Sequence, residues 1–145
     1  MCNAATPTTT GNPTAQVLEV NNQMVLIDCG EGTQTALRKN KIRFSRINHI
    51  FISHLHGDHF YGLIGLISTF SLLKREKDLH IFGPKGLKEI ILLQLKLSKS
   101  WTNFKLLFHE LESKASETIL THEKFIVQSI PLKHRVYTNG FLFKE

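Results

Sequence analysis

Residues 54–59 read His-Leu-His-Gly-Asp-His, which places three imidazoles and one carboxylate within six positions. Neutral imidazole and carboxylate are good ligands for Zn²⁺ and similar divalent ions. The cluster directly follows Ile50-Phe51-Ile52, a short β-branched and aromatic run that reads as a buried strand. It therefore sits where a strand ends, on a segment that a rigid scaffold can aim at a ligand. His54 and His56 are two apart, so an extended segment points both the same way. Gly57 is free to adopt positive φ, which predicts a sharp turn that aims Asp58 and His59 as a second ligand pair. The spacing suits two adjacent metals better than one. The plainer alternative is a polar loop that happens to hold three histidines.

A first metal held by His54 and His56 needs a further ligand from elsewhere in the fold. His134 is a candidate by position, because it follows the strand-like run Val127–Leu132 and sits in the turn Lys133-His134-Arg135. His49, His80, His109 and His122 occur singly in strand or loop contexts and read as structural residues. Cys29 follows Val25-Leu26-Ile27-Asp28 and reads as a small buried residue at a strand end. With Cys2 as the other cysteine, there is neither a CxxC zinc pair nor a disulfide framework.

The elements that must carry these residues follow from hydrophobic periodicity. Val17–Val20 and Met24–Ile27 flank Asn21-Asn22, a hairpin signal. Asp28-Cys29-Gly30-Glu31-Gly32 is then a turn, Thr33–Lys39 a short helix and Asn48–Ser53 the strand before the cluster. Tyr61–Leu73 reads as a buried helix whose Gly62 and Gly65 permit close packing. Leu79–Phe82 is a strand, Gly83–Gly86 a turn and Leu87–Leu97 an amphipathic helix. Phe104–Leu111, Glu117–Leu120, Lys124–Pro131 and Gly140–Phe143 read as further strands. Strands alternating with helices, followed by a run of strands, argue an α/β sandwich.

At 145 residues the chain is one domain, 1–145, and long enough for a real core. A hydrophobic fraction of 41% with 21% charged residues is that of an ordinary soluble globular protein. No apolar stretch reaches membrane-span length, and the N-terminus has neither a basic nor an apolar leader region, so a cytoplasmic location is expected. The net charge of +6 favours an anionic partner. The basic clusters Arg38, Lys39, Lys41, Arg43, Arg46 and Lys74, Arg75, Lys77 each read, taken alone, as solvated helix ends and loops.

The segment His54–His59 resembles the HxHxDH signature of the metallo-β-lactamase superfamily. Its surroundings are similar to those of the ribonuclease Z family of tRNA 3′-processing endonucleases. Asp28-Cys29-Gly30-Glu31-Gly32-Thr33-Gln34, Ile52-Ser53, Gly62-Leu63-Ile64-Gly65-Leu66, Ile81-Phe82-Gly83-Pro84-Lys85-Gly86, and Pro131-Leu132-Lys133-His134-Arg135-Val136 with Gly140-Phe141 carry the resemblance in order. It implies an αβ/βα sandwich, a mixed sheet flanked by helices, of which the chain is the N-terminal half. It implies that His54, His56 and His134 hold a first Zn²⁺ and that Asp58 and His59 hold a second. Asp58 is also a candidate general base, and Asp28 supports the ligand loop. The implied activity is removal of the 3′ trailer of precursor tRNA by metal-activated water, in a homodimeric full-length form. Other hydrolases of the superfamily, acting on cyclic nucleotides or thioesters, and a non-catalytic metal-binding fragment are the alternatives.

Two departures accompany the resemblance. The family's remaining metal ligands, its residues near the scissile phosphate and its tRNA clamp come from the C-terminal half, so the chain alone is expected to have little or no activity. The family pattern Pro-x-Lys-x-Arg-Asn appears as Pro7-Thr8-Thr9-Thr10-Gly11-Asn12, without its basic residues. Residues 1–7 resemble the loop that follows a first strand.

Overall fold

A computed structural model describes residues 5, 6 and 8–145. The readings of Cys2, and of Pro7 in the N-terminal loop, lie outside the described residues.

The chain opens with a hairpin of β1 (Gln16–Val20) and β2 (Gln23–Ile27). Asn21 and Asn22 take φ of 46° and 61°, the left-handed pair that a tight two-residue hairpin turn requires. Helix α1 (Thr33–Lys39) leads through a 3₁₀ turn at Phe44–Arg46 into β3 (Ile47–Phe51). A single helical turn, α2 (Gly57–Phe60), precedes α3 (Leu63–Leu72). Strand β4 (Leu79–Pro84), helix α4 (Leu87–Leu97) and strand β5 (Leu106–Leu111) follow. The chain ends with β6 (Glu117–His122), β7 (Phe125–Leu132) and β8 (Thr138–Lys144).

Strands β1 to β5 form one sheet in sequence order, parallel from β2 onward, and β6-β7-β8 form a second, antiparallel sheet. Parallel strands are buried on both faces, and the alternation of side chains sorts them into two cores. Leu26, Ile50 and Ile81 face α1, α3 and α4, where they meet Leu37, Leu66, Phe70 and Ile91. Val25, Phe51 and Phe82 point the other way, onto Phe125 and Val127 of the second sheet. The molecule is thus layered as helices, five-stranded sheet, three-stranded sheet. Among the described residues no helix is long and apolar enough to cross a membrane.

Two expectations are corrected. Gly57 does not take positive φ; it starts α2, and the turn is helical. A Cβ there would lie 2.2 Å from the ring of the exposed Tyr61, which would have to move aside. Arg75 is not a solvated loop residue but 8% exposed. Its guanidinium donates to the carbonyls of Ile47, Lys77 and Asp78 and to Asn48 Oδ1, and lies 4.9 Å over the Phe70 ring. A buried guanidinium survives because each polar face has an acceptor and its flat face has an aromatic ring.

Candidate metal centre

The centre lies past the C-terminal ends of β2 and β3, where loops leave the sheet and side chains can converge. Ile52 N–H donates to the Phe82 carbonyl at 2.7 Å, which keeps the chain extended just beyond β3. His54 and His56 therefore project together, with His54 Nε2 3.1 Å from His56 Nδ1. His134, in the turn between β7 and β8, brings its ring centroid to 5.1 Å from His54 and 5.4 Å from His56. One ligand atom from each of the three lies within 4.8 Å of the others. Three imidazole nitrogens at such separations fit a divalent ion that takes imidazole in tetrahedral geometry. Burial, then the neighbouring His59, His56 and His134, lower the pKa of His54 to about 4, so it is neutral and its lone pair is available at neutral pH.

Asp58 and His59 stand beside this triad on α2. His59 Nε2 is 3.3 Å from Asp58 Oδ2, and the His59 ring centroid is 3.9 Å from that of His54. On the far side, His59 Nδ1 is 2.7 Å from Asp28 Oδ2. Asp28 Oδ1 accepts the Ser53 N–H at 2.8 Å. Burial raises the Asp28 carboxyl, and the Ser53 N–H and His59 act against that rise. Asp28 itself takes φ of 58°, which swings its carboxylate from the end of β2 toward α2.

The backbone locks this arrangement. Cys29 N–H donates to the His59 carbonyl at 2.7 Å, and Gly62 N–H donates to the Cys29 carbonyl at 2.9 Å. A Cβ on Gly62 would lie 2.0 Å from the Gly30 carbonyl oxygen, so this approach requires glycine. Cys29 is fully buried, as its place at a strand end implied, and burial pushes its thiol up to about 12.

All five residues singled out as ligands thus meet at one place. Sequence reading gave Ser53 no role beyond its place in the Ile52-Ser53 resemblance; its hydroxyl lies 3.0 Å from both Asp28 Oδ2 and His54 Nδ1. The four remaining histidines are not solitary either. His49 lies 5.2 Å from His80 and 5.8 Å from His122 between ring centroids, and His80 Nδ1 meets His109 Nε2 at 3.0 Å. They come from β3, β4, β5 and β6 and cluster away from the metal centre.

Comparisons with known proteins place the chain as a whole. The chain is 49% identical over 144 residues to a ribonuclease Z of Bacteroides thetaiotaomicron, an alignment that takes in 99% of the chain and 46% of the relative. The chain spans about half the length of the curated relatives it matches and corresponds to their N-terminal half. The crystal structure of human tRNase Z, short form, superposes with a TM-score of 0.92 at 37% identity, covering 99% of the chain and 62% of the human one. The metallo-β-lactamase fold protein YhfI from Bacillus subtilis superposes with a TM-score of 0.72 at 18% identity, over 99% of the chain and 54% of its own. The layers described above are therefore about half of a metallo-β-lactamase fold. A family model described as Anti-Pycsar protein Apyc1 matches residues 3–144, and the chain belongs to that family.

Proposed function

We propose that the chain supplies the metal-binding part of a zinc-dependent endoribonuclease that removes the 3′ trailer of precursor tRNA. The observation that carries this reading is the convergence of His54, His56 and His134 beside the Asp58–His59 pair. The likeness to ribonuclease Z over nearly the whole chain supports the choice of substrate. In this reading His54, His56 and His134 hold one zinc ion, and Asp58 and His59 hold a second. Zinc, when bound, supplies Lewis acidity and a water of lowered pKa. Asp58 is the candidate general base, on α2 with its Oδ2 3.3 Å from His59 Nε2. Asp28 accepts the His59 Nδ1–H and so leaves Nε2 directed toward Asp58. The net charge of +6 suits a polyanionic partner, and the working form is proposed to be a cytoplasmic homodimer.

A second reading, cleavage of a cyclic nucleotide at the same centre, is the alternative that the superfamily resemblance leaves open. A chimera separates the two. Residues 3–144 replace the matching segment of the Bacteroides thetaiotaomicron relative. The chimera is expected to release the trailer from precursor tRNA in the presence of zinc, and its His56→Ala variant is not. A folded, zinc-loaded chimera that cleaves cyclic nucleotides and leaves precursor tRNA intact overturns the ribonuclease reading.

A further inference from the structure

Ser53 stands at the junction of the two proposed metal subsites. Its hydroxyl oxygen is 3.0 Å from Asp28 Oδ2, 3.0 Å from His54 Nδ1 and 3.2 Å from His59 Nδ1. A hydroxyl has one proton to donate and two lone pairs to accept with, and an ionised carboxylate can only accept. With Asp28 ionised, the Ser53 O–H donates to Asp28 Oδ2. With its proton committed, the Ser53 oxygen can only accept at His54, so His54 must carry its proton on Nδ1. That leaves the lone pair on His54 Nε2, the atom 3.1 Å from His56 Nδ1 at the proposed first subsite.

The same logic fixes His59. Its Nδ1 has Asp28 Oδ2 at 2.7 Å and the Ser53 oxygen at 3.2 Å, both acting as acceptors, so Nδ1 is again the protonated nitrogen. Its Nε2 is then free beside Asp58 Oδ2. The serine is itself held from both sides of its backbone, through its N–H to Asp28 Oδ1 and its carbonyl from Asn139 N–H at 3.0 Å. Its hydroxyl is consequently placed by two strands and a loop, not by its own rotamer preference alone.

We propose that Ser53 is a positioning residue that sets the tautomer of His54 directly and reinforces that of His59 through Asp28, so that one hydroxyl prepares both subsites to receive metal. The proposal rests on the metal-site reading above. Its primary test needs neither metal nor substrate, so its failure is distinct from failure of the ribonuclease reading. Long-range ¹H–¹⁵N correlation spectra of the metal-free chain at pH 7.5 report which imidazole nitrogen carries the proton. His54 and His59 are expected as Nδ1–H tautomers in the unaltered protein. Finding His54 as the Nε2–H tautomer there overturns the proposal without any variant.

Ser53→Ala is expected to move His54 toward the Nε2–H tautomer and to weaken zinc binding by roughly 10–100-fold, the usual cost of losing a contact that orients a metal ligand. Ser53→Thr, which keeps the hydroxyl, is expected to restore both. The His49 resonances, from a residue away from this site, serve as the folding control. Unchanged tautomers and unchanged zinc affinity in a folded Ser53→Ala chain also overturn the proposal.

Discussion

Two groups of four histidines sit in this molecule, and they do different things with the same side chain. His54, His56, His59 and His134 lie where strands end and loops turn. His49, His80, His109 and His122 lie on strands, three on the five-stranded sheet and one on the sheet facing it. In the first group one nitrogen each of His54, His56 and His134 converges, and Ser53 Oγ and Asp28 Oδ2 stand at Nδ1 of His54 and of His59. In the second the rings pack face to face or edge to face: His49 stacks on His80, and His122 stacks on Phe125. His80 Nδ1 and His109 Nε2 pair at 3.0 Å, and among the described residues no third ligand atom joins them, whereas the His54–His56 pair is joined by His134. Clustering alone does not make a metal site. Convergent lone pairs do, together with acceptors that hold the opposite nitrogens.

The sharpest way to break this comparison is to truncate one ring from each group. His56→Ala is expected to abolish zinc binding at the triad, a larger loss than the roughly 10–100-fold that follows removal of a supporting contact. His122→Ala is expected to leave zinc stoichiometry unchanged. Equal losses in metal analysis would show that the two groups do not differ as described.

Acid should act on the second group next. Burial, then His80, His122, His109 and Arg75, lower the pKa of His49 from 6.5 to about 4, and no carboxylate is among the groups that act on it. The unfolded chain therefore takes up this proton at a higher pH than the folded one. Stability from the neutral ring is complete above about pH 6.5 and is lost as pH falls toward 4. The difference corresponds to about 3 kcal/mol. Urea unfolding of His49→Phe, followed from pH 7.5 to 4, is expected to show a shallower decline than the unaltered chain; parallel curves would refute the assignment.

A smaller effect is expected at the first group's support. Asp28→Asn removes the charge that accepts the protons of His59 and Ser53, and zinc affinity is expected to fall by roughly 10–100-fold in calorimetry. Smallest of all is His109→Gln, at the exposed end of the second group. It is expected to cost about 1 kcal/mol or less in unfolding free energy and nothing in zinc affinity. A marked loss of zinc there would join the two groups into one site.

How much of this was legible in the sequence follows from the range of the interactions. The strand before residue 54 and the apolar runs of β2, β3 and β4 could be read, because hydrophobic patterning is a local signal. His134 could be nominated by its place after a strand and by family resemblance, since no local pattern links it to His54. The helical start at Gly57 could not be read, because α2 is a single turn, too short for helical periodicity to show. Arg75 looked like any loop cation; its acceptors at Ile47 and Asn48 are supplied by β3, and Phe104 lies before β5. The second histidine group depends on sheet register, in which His49 pairs with His80, and on the layering that brings His122 opposite.

The hydrogen bond from Asn139 N–H to the Ser53 carbonyl has a kinetic consequence. It joins the loop that carries His54 and His56 to the last strand of the chain, and His134 is on the turn just before that strand. Contacts between segments so distant in sequence form only after the intervening chain has closed a large loop, which slows them relative to the helices and the first hairpin. Assembly of the triad therefore waits for β8 to dock. During synthesis the His-rich motif emerges early with two of its three nitrogens, and it gains the third only when residues 134–139 have left the ribosome. The third nitrogen is thus the last of the triad to be placed.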